Sequence, residues 1–377
     1  MQQTKQNKQK RRPRMIIILV LSLVGLCLLT AGISFITNQS LPEPSSTPDN
    51  LTQQGFAHAE EALNLMDQLG DDVWPGLSGN IPLLLWNEDY AFLVNSQEKL
   101  AGWENLEDVV VNNLPVYVQK NDANYQAFTE ELSNGQYAGS MATKNATNIG
   151  FINLFKEDLP PVISQIFPYR LLLLSTDHYI TALVHESFHA YQAENYPDRF
   201  EDAEKAYTST DAYEDLFESM SEDWQLEVQA LIDALNEEDK TQRIELINDF
   251  FQTREDRRAK ANLSSELVRY ENRFEWLEGS AKYVELEIWE DAANSTGYQP
   301  VKEISTDKDF DNYQGYQKRW NNEQNNAKNA AKNGGDTLFY YTGMLQARLL
   351  DELMPEWNTK IGEPGVWYED LLREAVN

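Results

Sequence analysis

Residues 175–196, Ser175-Thr-Asp-His-Tyr-Ile-Thr-Ala-Leu-Val-His185-Glu186-Ser187-Phe188-His189-Ala-Tyr-Gln-Ala-Glu-Asn-Tyr196, constrain this chain more than any other stretch. Ser175 or Thr176 can cap a helix start, Asp177 suits its first turn, and Pro197 closes it. Ile180, Leu183, Val184, Phe188 and Tyr191 recur at helical spacing, so one face packs inward. His185 and His189 stand four apart, which puts both imidazoles on one face, a turn from each other. Two imidazoles so placed can share one tetrahedral zinc ion, and Glu186 beside them can reach a water on that ion. The H-E-x-x-H spacing therefore predicts a hydrolytic zinc site. The competing reading, two core histidines, leaves the intervening acid unexplained. His178 is excluded as a ligand, because it precedes His185 by about 10 Å of helix rise.

A catalytic zinc takes three protein ligands and keeps one position open. No histidine follows His189, so a carboxylate must complete the set. Glu278 is the choice among many. Trp276 and Leu277 can pack its helix, while Gly279, Ser280 and Ala281 let a second helix come close. Glu271, Glu275 and Glu285 lie within one or two turns on roughly the same face, where one of them can orient a zinc-bound histidine. An ordinary solvated glutamate is the plainer reading for Glu275 and Glu285.

With these segments in view, the chain resembles the gluzincin metallopeptidases, in particular the aminopeptidase-N-like group. His185-Glu186-Ser187-Phe188-His189 matches their first motif. Trp276-Leu277-Glu278-Gly279-Ser280-Ala281 is similar to their Trp-Leu-Asn-Glu-Gly-x-Ala motif with one residue fewer before the glutamate. Phe339-Tyr340-Tyr341-Thr342-Gly343 is similar to their Tyr-x-x-Gly helix start. The resemblance implies a zincin fold, Glu278 as third ligand, Glu186 as general base, and Tyr340, with Tyr341 as fallback, as the phenol that steadies the oxyanion. Two departures stand out. The interval from His189 to Glu278 is much longer than the family's, and Gly139-Ser140-Met141-Ala142-Thr143 carries Ala142 where the family's amine-binding acid belongs. Recognition of a free N-terminus is therefore not implied, and endopeptidase action or a non-peptide substrate is equally consistent.

The formal net charge is −30, and Lys5, Lys8, Lys10, Arg11, Arg12 and Arg14 leave the remainder more acidic still. Such a surface repels nucleic acid, which is excluded as a partner. Residues 15–36 carry no charge and are long enough to span a bilayer. With the basic flank they predict a cytoplasmic tail (1–14), a single-pass transmembrane anchor (15–37), a Pro- and Ser-rich stalk (38–50) and an extracellular catalytic domain (51–377). Cys27 is the one cysteine, so that domain has no disulfide, which suits a bacterial surface protein.

Within 51–377 the expected class is α+β and predominantly helical, with a small sheet ahead of the active-site helix and a helical insertion over 199–262. A first helix over 52–69 ends at Gly70. Strands are expected at 81–86, 90–94, 109–111 and 116–118, and an edge strand over 150–155. Residues 321–335, rich in Asn and Lys, read as a loop, and the charges of the insertion as a solvated face. Asp307-Lys-Asp309-Phe-Asp311-Asn312 starts like a calcium loop but lacks the turn glycine and the closing glutamate, and reads as a polar loop. The functional expectation is a membrane-anchored zinc peptidase acting on peptides or proteins. The alternative is an anchored binding or scaffold module whose zinc is structural or absent.

Overall fold

Asn87 Oδ1 accepts the backbone N–H groups of Asp89 (3.0 Å) and Tyr90 (2.8 Å), an Asx turn that reverses the chain. On either side β1 (Leu83–Trp86) and β2 (Tyr90–Val94) pair antiparallel, Leu83 opposite Val94 and Trp86 opposite Ala91. With β3 (Glu104–Val111), β4 (Leu114–Lys120), β5 (Phe128–Glu131) and β6 (Tyr137–Ala142) they form one sheet in the order β3-β4-β2-β1-β6-β5. The computed structural model describes residues 32, 34, 38–43, 51, 53–123 and 125–377. They fall into two units, the described residues of 1–48 with 142–174 and those of 49–141 with 175–377.

In the larger unit the sheet touches the histidine helix (Thr176–Asn195) at Gly139. A Cβ there would stand 2.8 Å from Ser187 Cα, so the contact needs glycine. The remainder of this unit is mostly helical. Helices span Ala57–Val73, Pro197–Glu204, Thr210–Asn236, Lys240–Lys260, Ser265–Phe274, Ser280–Asn294, Tyr316–Asn333, Thr337–Leu353 and Tyr368–Val376. The chain is thus predominantly helical with a small sheet, in keeping with the α+β expectation. Trp74 is a hub of the core, meeting Phe188 at 4.8 Å and Trp357 at 5.6 Å between ring centroids. In the smaller unit Thr143 caps the helix Lys144–Asp158, and Phe155 stacks on Phe167 at 6.1 Å.

Several expectations are corrected. The edge strand over 150–155 is helix, because Phe151, Leu154 and Phe155 follow helical spacing behind the Thr143 cap. The loop over 321–335 is mostly the helix Tyr316–Asn333, which buries Tyr316, Glu323, Ala327 and Ala330 and stops at Gly334 with φ +78°. Gly70 does not end the first helix. It lies inside it, where a Cβ would meet the Leu77 carbonyl at 2.7 Å. The single-pass anchor, and with it the membrane attachment and extracellular placement, is also corrected. Among the described residues no helix is long and apolar enough to cross a membrane. The helix Thr337–Leu353, apolar over much of its length, has 17 residues and carries Arg348, Asp351 and Glu352, whereas a span needs about 20 apolar residues. The tail (1–14), residues 15–31, 33 and 35–37 of the anchor and residues 44–50 of the stalk lie outside the described residues.

Nor are the charges of 199–262 all solvated. Arg254 and Arg257 are fully buried between the helices Thr210–Asn236 and Lys240–Lys260. Arg254 reaches Glu227 (3.0 Å), Glu275 (2.5 Å) and Glu369 (3.2 Å), while Arg257 reaches Glu227 and Glu271. Burial alone would raise the Glu271 pKa, but the guanidinium groups of Arg257 and Arg258 outweigh it and hold the carboxyl well below its usual range. Removing one partner of such a buried pair leaves an uncompensated charge. Arg254→Met is expected to lower stability by about 3–5 kcal/mol in urea unfolding at neutral pH. The Glu271 contribution, its folded pKa being depressed, should be complete above about pH 4.3 and disappear as pH falls through the folded value. A variant as stable as wild type would refute this view of the network.

Candidate metal centre

The histidine helix is fixed at its start. The Ser175 side chain accepts from His178 N–H, and Asp177 accepts the backbone N–H groups of Asp311 (2.9 Å) and Tyr313 (2.7 Å), which ties the polar 307–313 loop to the first turn. Ile180, Leu183, Val184 and Phe188 are buried as their spacing requires. That registration sets the His185 and His189 rings 4.9 Å apart, both buried. His178 has another role. Its Nδ1 meets Ser175 Oγ at 2.5 Å, its ring stands edge-on to Trp289, and burial lowers its pKa to about 4.

Glu278 arrives from a short π-helical turn, Glu275–Gly279, between the helices Ser265–Phe274 and Ser280–Asn294. A π turn inserts one residue and rotates the helix beyond it, a device common at functional sites. Glu278 Oε2 lies 3.2 Å from His189 Nε2 and 3.5 Å from His185 Nε2. These three groups all present ligand atoms within 4.8 Å of one another. Among the described residues, His189 Nε2 and Glu278 Oε2 are buried without a hydrogen-bond partner. Orphaned buried atoms of this kind carry a desolvation penalty that a shared cation would remove. The buried His185, His189, Glu278 group can therefore hold a metal ion.

The far side of each ligand is specified too. His189 Nδ1 pairs with Gln192 Oε1 at 2.9 Å, and Gln192 Nε2 donates to the carbonyls of Trp276 (3.1 Å) and Leu277 (3.2 Å). With its amide nitrogen committed, Gln192 can only accept at the histidine, so Nδ1 carries the proton and Nε2 is left free for a metal. His185 Nδ1 lies 3.3 Å from Glu285 Oε2, and Glu285 is held by Lys282 (2.9 Å) and Arg319 (2.7 Å). Glu285 is thus the acid beside His185, one of the candidate ligands, and not a solvated residue. Glu271 and Glu275 instead serve the arginine network. Glu278 Oε1 accepts a hydrogen bond from Tyr207 Oη at 3.0 Å.

A cavity of about 260 Å³ opens beside this cluster. Glu186, Glu204, Tyr207 and Tyr340 line it together with the ligands, and Ala127 and Phe128 form its wall at the start of β5. Phe128 packs on His189 at 4.5 Å. None of residues 139–143 lines the cavity, so the strand at its mouth is β5 and not the Gly139–Thr143 stretch. Tyr340 lies flat on His185, with centroids 5.7 Å apart, whereas Tyr341 pairs with Glu323. Tyr340 reaches the cavity because two backbones touch behind it. A Cβ on Gly279 would be 2.6 Å from Gly343 Cα, and one on Gly343 would be 2.4 Å from the Glu275 carbonyl. The small residues after Glu278 therefore admit the helix Thr337–Leu353.

Burial, and then the carboxylates of Glu278 and Glu285, raise the Glu186 pKa to about 8 against the opposing pull of His185. Burial works against a proton on His185, but Glu278 and Glu285 outweigh it and push its pKa up to about 10, whereas burial keeps that of His189 low. The sequence motifs point to His185, Glu186, His189, Glu278 and Tyr340, and the structure gathers all five. They do not point to Gln192, Tyr207 or Glu204, whose residue types are too common to stand out.

A metal ion must displace the proton from His185, so apparent affinity should rise about tenfold per pH unit between pH 6 and 8, read by chelator competition. A flat profile would contradict the coupling. Gly343→Ala should cost about 1–3 kcal/mol in urea unfolding and weaken metal binding, because the helix carrying Tyr340 must move away from the turn carrying Glu278. Comparison with known families, curated proteins and solved structures finds no match for this chain, so the functional reading rests on this geometry.

Proposed function

We propose that the chain is a zinc-dependent peptidase of gluzincin type, with a zincin-like arrangement of histidine helix, glutamate helix and sheet. One observation carries the reading. His185 Nε2, His189 Nε2 and Glu278 Oε2 face one point, beside an open cavity that Glu186 and Tyr340 also line. With zinc–ligand bonds of about 2.0–2.1 Å, tetrahedral ligands sit about 3.3 Å apart. The separations of 3.2 and 3.5 Å agree with that edge. Two imidazoles and one carboxylate suit zinc over harder cations, which prefer all-oxygen sites. The adjoining cavity supports a catalytic site over a closed structural one.

Zinc bound there would act as a Lewis acid and lower the pKa of water toward about 7. The chain's own residues supply the rest. Glu186 takes the proton as water attacks a peptide carbonyl, and delivers it to the leaving nitrogen. Burial and the nearby carboxylates raise its pKa, the direction that lets it hold the proton between the two transfers. The Tyr340 hydroxyl donates a hydrogen bond to the oxyanion, and its own pKa is pushed up by burial and by Glu278, so it stays protonated. Phe128 and β5, which stands at one end of the strand order, offer an extended peptide an apolar wall and a strand edge.

Glu186→Gln should retain one zinc per chain by elemental analysis and lower kcat on a mixed set of fluorogenic peptides by about 100- to 10,000-fold. Full activity in this variant, or a wild-type chain that takes up no zinc, would sink the proposal.

A further inference from the structure

Tyr207 lies on a short 3-10 segment, Lys205–Ser209, between the helices Pro197–Glu204 and Thr210–Asn236. It belongs to the long interval between His189 and Glu278 that sets this chain apart from the gluzincin pattern. Its ring packs edge-on against Phe274 at 4.8 Å, one residue before the π turn, and 46% of the residue is exposed. From there its hydroxyl reaches inward to Glu278 Oε1 at 3.0 Å. The ionised Glu278 carboxylate can only accept, so the phenol is the donor. The two oxygens of Glu278 are thereby divided. Oε1 is bonded to Tyr207, and Oε2 is buried between the two imidazole nitrogens without a hydrogen-bond partner among the described residues.

We propose that Tyr207 is a positioning residue that keeps Glu278 a one-oxygen ligand, leaving the remaining coordination position open to the cavity. A carboxylate ligates a metal through one or both oxygens, and the choice depends on what the second oxygen bonds to. With Oε1 engaged by a phenol, the carboxylate cannot rotate to bring both oxygens to the ion. Without the Tyr207 phenol, Oε1 loses that donor and can turn to the ion, which closes the open position. Gln192 and Glu285 orient the two imidazoles from behind, and Tyr207 does the same for the acid. The interval between His189 and Glu278 thus supplies part of the centre. This role rests on the metal site proposed above but not on peptide hydrolysis.

The test is Tyr207→Phe in the full chain. The ring keeps its contact with Phe274, so the chain should still fold, with a lowered unfolding midpoint because the buried Glu278 Oε1 loses its donor. Zinc affinity by chelator competition should fall about 10- to 100-fold, the usual effect of removing a partner behind a ligand. With cobalt(II) in place of zinc, the visible absorption of the variant should weaken and shift from a four-coordinate to a five-coordinate pattern. Unchanged affinity and an unchanged cobalt spectrum overturn the proposal. So does a loss of kcat with both preserved, since Tyr207 would then act on substrate instead. A wild-type chain that binds zinc and cleaves no peptide refutes the peptidase reading while leaving these two measurements intact. One that binds no metal refutes both.

Discussion

A carboxylate charge buried between two imidazoles is the interaction on which the centre depends. Taking an ionised group out of water costs several kcal/mol even in a relaxed protein, and the penalty is offset only where donors or cations surround it. Glu278 is buried, with Tyr207 on one oxygen and two ring nitrogens facing the other. The imidazoles lower the Glu278 pKa in spite of burial, and Glu278 in turn favours the proton on His185. A cation would serve the same electrostatic purpose as that proton. A metal held there would therefore compete with that proton.

Polar groups are arranged in layers around that charge. Gln192 and Glu285 meet the imidazoles, and Lys282 and Arg319 hold Glu285. On the other side of the π turn, Arg254 grips Glu275, three residues before Glu278. The buried arginine network and the candidate metal centre therefore share one backbone segment. Ion pairs of this kind add little net stability compared with apolar packing, but their directional bonds specify geometry. The Gly279–Gly343 contact adds a steric constraint, since two backbones in touch leave the Glu278 and Tyr340 side chains little freedom relative to each other.

The parts legible in the sequence are those with a local signature. The histidine helix can be read because its cap, apolar period and paired histidines all lie within about twenty residues. β1 and β2 are visible through their aromatic and aliphatic runs and the Asn87 turn. β5 and β6 are not, since Phe-Thr-Glu-Glu and Tyr-Ala-Gly-Ser-Met-Ala are acidic or small and have weak strand propensity. The helix Tyr316–Asn333 reads as loop because its outer face is Asn and Lys. Its inner face is a row of alanines and Glu323, whose helical spacing matters only when something packs on it. Arg254 and Arg257 read as solvated because nothing local places Glu227, Glu271 or Glu275 opposite them.

By itself the sequence determined that two imidazoles stand one turn apart with an acid between them, because helical periodicity is a property of neighbouring residues. The segment around Glu278 marked it as a candidate partner, but only the tertiary structure decided that it meets them, which oxygen faces them, and that Tyr207, Gln192 and Glu285 stand behind these three side chains. Those relations join residues separated by up to a hundred positions. They depend on how a π turn, a pair of touching glycines and a buried ion network bring separate helices together, and no local pattern encodes that.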